Sequence, residues 1–409
     1  MKILFLTGIY PSDEKSNFDN LVKKGHLQNA ANVFQWGIIE GLNNNDADFE
    51  VISFPFLPCY PLRFKTIYTP SLSVMHNNQL IGKIYKYCAL PFIKRISLKY
   101  RLRNVVKKWL DSNSAYEDEI VIMTYTALSW MTYALEPLKK TYGFKICSII
   151  PDLVDDATNP VFELSLVKKI QAMMEQRRVK KSYGIIDCFV LLSEAMQEKI
   201  PQAVGNHVVV EGVASVKNVP EVKVKTDNVK TLLYTGSLEY FTGVKNLVDA
   251  FCKTNNENFR LVICGDGPLS PYVSEMSKCD TRIIYMGTVT REVSVDLQRK
   301  STLLINPRLP KEKLTRYSFP SKTMEYMMSG TPMIGYRLEG IPKEYYDYFY
   351  IPEDFSIDSL RDKITEVLSL PSSVLYRKAK EAQEFLINNK TSTIQVRRVI
   401  DYLSRSVLE

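Results

Sequence analysis

From position 317 to 334 the chain reads Tyr-Ser-Phe-Pro-Ser-Lys-Thr-Met-Glu-Tyr-Met-Met-Ser-Gly-Thr-Pro-Met-Ile. Pro320 bars any helix from extending backwards, Ser321 can cap, and Lys322 opens a helix that closes at Gly330 before Pro332 starts a strand. A helix start placed at a strand end presents free backbone N–H groups and a positive dipole end to a phosphate, and Lys322 adds a full charge there. One turn on, Glu325 shares a face with Ser321 and Lys322, where a carboxylate can accept both hydroxyls of a ribose. A capped amphipathic helix with a surface glutamate would carry the same letters.

Two glycine turns stand with this segment. Thr235-Gly236-Ser237 and Cys264-Gly265-Asp266-Gly267-Pro268 each follow an apolar run, and glycine there permits a tight turn or close approach to a ligand. Arg308 follows the run 303–306 and, with Lys322, would offset the charge of a departing diphosphate. In the first half, Asp152 follows the run 145–150 and is joined by Asp155 and Asp156. A carboxylate at that strand end can orient an acceptor hydroxyl or stabilise positive charge developing on a sugar carbon; it can equally cap the next turn. A polar loop from Gly8 through Tyr10 to about Lys24 occupies another strand end, and Asn32 and Gln35 on the helix after it are placed to reach an acceptor hydroxyl unless they face solvent.

Positioning these residues requires alternating strands and helices. The periodicity predicts strands at 2–6, 49–54, 120–124, 145–150, 188–192 and 208–210, with helices at 26–42 and 164–183 among them. The pattern restarts after a loop at 211–228, with strands at 231–234, 260–264, 282–286, 303–306 and 332–335. Helices fit between these at 244–253, 269–279, 291–300 and 322–329. The implied fold class is α/β, two doubly wound parallel-sheet domains in tandem, 1–211 and 212–391, each with ligands beyond the carboxyl ends of its strands. The tail 372–409 reads as wholly helical, its last helix, about 392–409, crossing back onto the first domain.

Composition narrows the chemistry. A chain of 409 residues exceeds one comfortable core. No apolar run is long enough to span a bilayer and Met1 leads directly into a strand pattern, so a cytosolic protein is expected. Seven isolated cysteines and three histidines offer no zinc or histidine-rich site, and Asp46-Ala47-Asp48 lies in a polar loop; no metal is expected. No Gly-x-Gly-x-x-Gly follows the first strand, which argues against a nicotinamide-dependent oxidoreductase. Of the net charge of +8, nine Lys or Arg residues and no acid fall in 83–110, interleaved with Phe92, Ile93, Ile96, Tyr100, Val105, Val106 and Trp109. That pattern fits an amphipathic helix with a cationic rim at an anionic membrane surface, or a domain helix whose apolar face is core. No nucleic-acid-binding module appears.

The second half resembles glycosyltransferase family 4, the retaining GT-B enzymes. The resemblance is carried by Gly236-Ser237-Leu238, Gly265-Asp266-Gly267-Pro268, Met286-Gly287-Thr288-Val289 and the segment from Phe319 to Pro332. Asn306-Pro307-Arg308 and Ser318-Phe319-Pro320-Ser321-Lys322-Thr323-Met324-Glu325-Tyr326 are similar to a subgroup found in surface-polysaccharide synthesis. The likeness is strong over 231–351 and weaker over the first half, where it is limited to the opening strand, Asp152 and Leu192-Ser193-Glu194-Ala195-Met196.

That resemblance implies a cytoplasmic glycosyltransferase, peripheral to the inner membrane face, moving a hexosyl or related sugar from a nucleotide diphosphate donor, UDP foremost, to a glycan or polyprenyl-linked acceptor such as a capsule precursor. Glu325 matches the second glutamate of the family's paired-glutamate motif, which binds the donor ribose. The first, associated with the transferred sugar, falls on Tyr317; the basic pair falls on Ser237 and Thr242; the histidine of the first domain falls on Pro151. Donor contacts are thus expected from Glu325, Ser321, Lys322, Arg308, Gly236, Ser237, Gly265, Asp266, Val289 and Tyr317. Chemistry is expected from Asp152, Lys322 and Arg308, acceptor contacts from Asn32, Gln35 and Tyr10, and no cofactor beyond the nucleotide-sugar substrate. The departures leave open a GT-B scaffold that has lost catalysis and serves in binding or assembly. A nucleotide-sugar 2-epimerase shares the fold but would call for a histidine in its cleft.

Overall fold

The computed structural model describes residues 1–11, 18, 20–23, 27, 29–153, 166–217, 219–310 and 313–408. The chain divides into two compact units, Met1–Val213 with Ser392–Glu409, and Ala214–Thr391.

In the first unit β1 (Lys2–Thr7) leads to α1 (Asn29–Asn44), β2 (Asp48–Ser53), a hairpin of β3 (Leu72–His76) and β4 (Gln79–Ile84), and α2 (Ile93–Ser112). Then follow β5 (Ile120–Tyr125), α3 (Ser129–Tyr142), β6 (Lys145–Ile150), α4 (Leu166–Ser182), β7 (Cys188–Leu191) and β8 (His207–Val209). The described strands form one sheet in the order β3-β4-β2-β1-β5-β6-β7-β8, parallel but for the hairpin. The central strands are apolar on both faces, as a sheet covered on both sides demands.

The second unit holds β9 (Lys230–Thr235), α5 (Val244–Cys252), β10 (Phe259–Cys264), α6 (Ser270–Cys279), β11 (Ile283–Gly287), α7 (Arg291–Lys300), β12 (Leu303–Asn306), α8 (Ser321–Met328) and β13 (Met333–Gly335). Two helices follow, α9 (Ile357–Leu368) and α10 (Ser372–Asn389). The sheet order is β11-β10-β9-β12-β13, all parallel. The chain runs outward from β9 to β11 and then crosses to β12 on the other side of β9, so the connection direction reverses there, the position at which doubly wound sheets hold ligands.

The helical tail is broken rather than continuous. α10 stops at Asn389, and α11 (Ser392–Leu408) starts afresh in the first unit, where Val396, Val399 and Leu403 join the core containing Ile38, Ile39 and Leu42 of α1. A Cβ at Gly41 would stand 2.4 Å from the Ser392 carbonyl oxygen and from Val396, so only glycine admits this crossing.

The segment 83–110 is not one helix. Lys83 lies in β4, and α2 begins at Ile93. The hairpin ahead of it turns on Asn77-Asn78, both left-handed at φ 48° and 62°, the conformation that a two-residue hairpin turn requires.

Candidate functional site

In the second unit a cavity of about 410 Å3 is lined by Thr235, Gly236, Ser237, Cys264, Gly265, Asp266, Thr288, Val289, Thr290, Arg291, Ser294, Lys322 and Glu325. Its walls are therefore the carboxyl ends of β9, β10 and β11, the start of α7 and the first turn of α8. The glycines bring the turns together. Gly265, at φ 146°, would place a Cβ 1.8 Å from the Gly236 carbonyl oxygen, and Gly236 N–H donates to the Cys264 carbonyl at 3.0 Å. Backbone lies directly on backbone, so these glycines shape the wall by fitting each other.

Pro320, not Ser321, precedes α8 as its cap residue and makes no side-chain capping bond, while Ser321 is the first helical residue and exposed. The anticipated serine cap is absent because the chain turns into the helix one residue earlier. The first N–H groups of α8 therefore receive no capping side chain.

Lys322 and Glu325 meet across one turn, Nζ to Oε1 at 3.0 Å. Lys322 Nζ also donates to the Thr235 hydroxyl at 3.3 Å. Glu325 Oε1 accepts a second bond, at 2.7 Å, from Nε2 of Gln298, which is 1% exposed on α7 and also reaches the Thr235 hydroxyl at 3.3 Å. Glu325 Oε2 has no hydrogen-bond partner among the described residues. The carboxylate is thus fixed by one oxygen and open at the other, in a polar pocket, the arrangement needed to accept a ligand hydroxyl. Beneath it the Tyr326 hydroxyl donates to the Thr235 carbonyl at 3.1 Å and accepts from Thr235 N–H at 2.9 Å, tying α8 to the end of β9.

Gln298 is absent from the sequence-based site. Its signal was a glutamine on the buried side of an otherwise polar helix, which demands a partner inside.

The other expected donor residues lie around the cavity to different degrees. Gly236, Ser237, Gly265, Asp266 and Val289 line it. Asp266 also accepts from the Ser270 hydroxyl at 2.8 Å, a bond local to the start of α6. Arg308, Ser321 and Tyr317 are not among the lining residues. Arg308 stands at the end of β12, its guanidinium 5.6 Å from the Phe241 ring centre, and burial lowers its pKa, with no carboxylate paired to it among the described residues. Gly243, at φ 77°, makes room for that segment, since a Cβ there would stand 2.0 Å from the Pro307 carbonyl oxygen. A desolvated, unpaired guanidinium is poised for an anion. Tyr317 is half-buried, with Arg316 over its ring at 5.8 Å.

The first unit holds a different picture. Asn32 and Gln35 are buried in α1, where Asn32 Oδ1 accepts from Tyr10 N–H at 3.1 Å and Gln35 Oε1 from Gly8 N–H at 2.8 Å. Tyr10 is buried too, its ring against Phe18 and its carbonyl accepting from Trp36 Nε1 at 3.0 Å. The expectation that these three contact an acceptor is corrected. They hold the start of the loop after β1, because its backbone amides would otherwise be buried without partners. Most of the rest of that loop, and Asp155 and Asp156, lie outside the described residues.

Asp152 follows β6 with its residue exposed, yet enough protein surrounds the carboxyl that burial raises its pKa. The Tyr125 hydroxyl at the end of the adjacent β5 is pushed up by burial first and by Asp152 second. Thr126 next to it is left-handed at φ 68°, a strained backbone for a β-branched residue. Among the described residues no group of three His, Cys, Asp or Glu side chains is placed to hold a metal.

Residues 229–369 match the family model described as Glycosyl transferases group 1. No curated protein matches the chain in sequence. Among solved structures it is similar to sucrose-phosphate synthase from Thermosynechococcus elongatus, at 14% identity and TM-score 0.64, covering 100% of this chain and 99% of that one. It is also similar to the lipopolysaccharide outer core galactosyltransferase WaaB in its apo form, at 16% identity and TM-score 0.59, covering 99% of each chain. Anabaena Alr3699/HepE in complex with UDP is similar at 14% identity and TM-score 0.59, covering 99% of this chain and all of that one. At such identities the structural likenesses speak for the fold alone. The chain has the GT-B fold, and the match of residues 229–369 to the glycosyl transferases group 1 model is consistent with the resemblance to glycosyltransferase family 4.

Proposed function

We propose that this protein is a glycosyltransferase that moves a hexosyl or related sugar from a UDP-sugar to a glycan or polyprenyl-linked acceptor in surface-polysaccharide synthesis at the cytoplasmic face of a membrane. The observation that carries the reading is the Glu325 carboxylate, anchored through Oε1 by Lys322 and Gln298 and open at Oε2, beside the uncapped start of α8 in the second-unit cavity. A ribose diol on Oε2 would bring the diphosphate to the N–H groups of α8 and the ammonium of Lys322. UDP as the nucleotide is supported by the fold shared with Anabaena Alr3699/HepE, solved in complex with UDP.

In the transfer, the bond between the sugar carbon and the diphosphate oxygen breaks, the acceptor oxygen bonds to that carbon, and the acceptor's hydroxyl proton passes to the departing diphosphate oxygen. Lys322 stabilises the departing diphosphate, and Arg308, at the neighbouring strand end and paired with no carboxylate among the described residues, is the second charge available to it. This pair is proposed to make the transfer independent of a metal. Asp152 orients the acceptor hydroxyl. Retention of configuration follows the resemblance to family 4.

Calorimetric titration of the purified protein with UDP, GDP and ADP, with and without a chelator, tests the reading. Micromolar binding of UDP that persists in chelator is expected. Binding of no nucleotide would leave a GT-B scaffold without a donor site, and loss of UDP binding in chelator would remove the metal-independent mechanism.

A further inference from the structure

α2 is amphipathic twice over. Leu98, Leu102, Val106 and Trp109 bury one face, while positions 93, 96, 100, 103 and 107 share another side as Ile, Ile, Tyr, Arg and Lys. Its apolar members are exposed, Ile96 at 71%, and Phe92 just before the helix is 89% exposed. Phe92 is also left-handed at φ 66°, a costly backbone for an aromatic residue, and it projects the ring into solvent.

The stripe is part of a larger surface. The Ala89 amide donates to the Ile67 carbonyl at 2.7 Å and Tyr68 bridges Cys88, which sets the segment of exposed Leu62, Ile67 and Tyr68 beside the entry to α2. Arg95 pairs with Glu175 at 2.6 Å, which brings α4, with exposed Met173 and Met174, to the same helix. On the same two helices Lys99, Arg103, Arg177, Lys180 and Lys181 are exposed, none of them in an ion pair among the described residues. No described helix is long and apolar enough to cross a membrane.

We propose that this face of the first unit docks on an anionic phospholipid bilayer, with Phe92, Ile93, Ile96 and Tyr100 entering the headgroup boundary. Exposed rings and aliphatic chains bordered by cations match the two components of such a surface, hydrocarbon below and negative headgroups above, whereas a protein partner of ordinary polarity would not call for so many unpaired cations. The inference rests on the membrane-face location in the proposed function and is separable from its donor site, since it uses none of the residues of the second unit.

Sedimentation of the full-length protein with vesicles of phosphatidylcholine alone and of phosphatidylcholine with about one-third phosphatidylglycerol tests it. Binding to the anionic vesicles should exceed binding to the neutral ones at least tenfold and should fall as salt rises. The triple variant Phe92→Ser, Ile96→Ser, Tyr100→Ser should lose at least tenfold in partition while keeping its UDP affinity and circular dichroism. Should that variant misfold, Lys99→Glu with Arg103→Glu alters only exposed charges and should weaken partition roughly fivefold per charge removed. Equal binding to both vesicles, or unchanged binding by the charge variant, would overturn the proposal. So would a wild-type dimer in size-exclusion chromatography that the triple variant dissolves without any vesicle binding, which would assign the face to a second copy of the chain.

Discussion

The strand ends of the two units handle polar side chains in opposite ways. Beyond β9–β11, Lys322, Gln298 and Glu325 converge on an open cavity, and one carboxylate oxygen is left without a partner among the described residues. Beyond β1, Asn32 and Gln35 converge just as closely, but on backbone amides in the interior. Side-chain convergence alone therefore does not mark a ligand site. An unfilled hydrogen-bonding position that faces space does, and the contrast predicts which substitutions act on binding and which act on stability.

The largest effect is expected at Glu325. Glu325→Ala removes the open carboxylate oxygen together with the bonds that Lys322 and Gln298 make to its neighbour, and a hydrogen bond to a charged group is worth about 1.5–3 kcal/mol. UDP affinity by calorimetry should fall roughly 10–100-fold with little change in melting temperature, because the side chain stands at a cavity wall. Unchanged affinity would erase the distinction just drawn. Gln35→Ala should do the converse. It leaves the Gly8 amide buried without an acceptor, so denaturant unfolding should show a loss of about 1–3 kcal/mol while UDP affinity stays constant.

How much of this was legible in the sequence follows from distance along the chain. The α8 segment was readable because Pro320, Lys322, Glu325 and Gly330 act within one helix and its two ends. Gln298 was missed since it lies 27 residues before Glu325, and only the order β9-β12 and the packing of α7 bring the two together. Asn32 and Gln35 are not legible in the same way, because polar residues on a helix face look alike whether water or a buried loop covers them. The hairpin before α2 turns on Asn77-Asn78, and charge and apolar spacing alone do not separate its second strand from the basic helix that starts at Ile93.

A smaller effect sharpens the comparison from the first unit. Asp152→Asn should lower turnover about tenfold, with UDP affinity unchanged. Burial raises the Asp152 pKa, so the wild-type rate should climb as the carboxyl ionises, at a pH above that of an ordinary aspartate, and this limb should vanish in the variant. If the pH–rate profile keeps its acid limb, Asp152 has no part in the transfer.

The last expected effect concerns a cation of the second unit that, unlike Lys322, does not line the donor cavity. Lys225 donates to the Thr331 hydroxyl at 2.6 Å and to the Ser301 carbonyl, and burial lowers its pKa to about 8. The unfolded chain, near the ordinary lysine value, then holds more protons than the folded one between about pH 8 and 10.5, so this residue adds stability as pH rises through that window. The slope it contributes is bounded at about 1.4 kcal/mol per pH unit. The difference in unfolding free energy between wild type and Lys225→Met should therefore grow in favour of wild type across that window, while Lys322→Met, whose ammonium faces the cavity, should show its effect in UDP affinity instead. A difference independent of pH would mean that Lys225 stays charged and that its hydrogen bonds outweigh its burial.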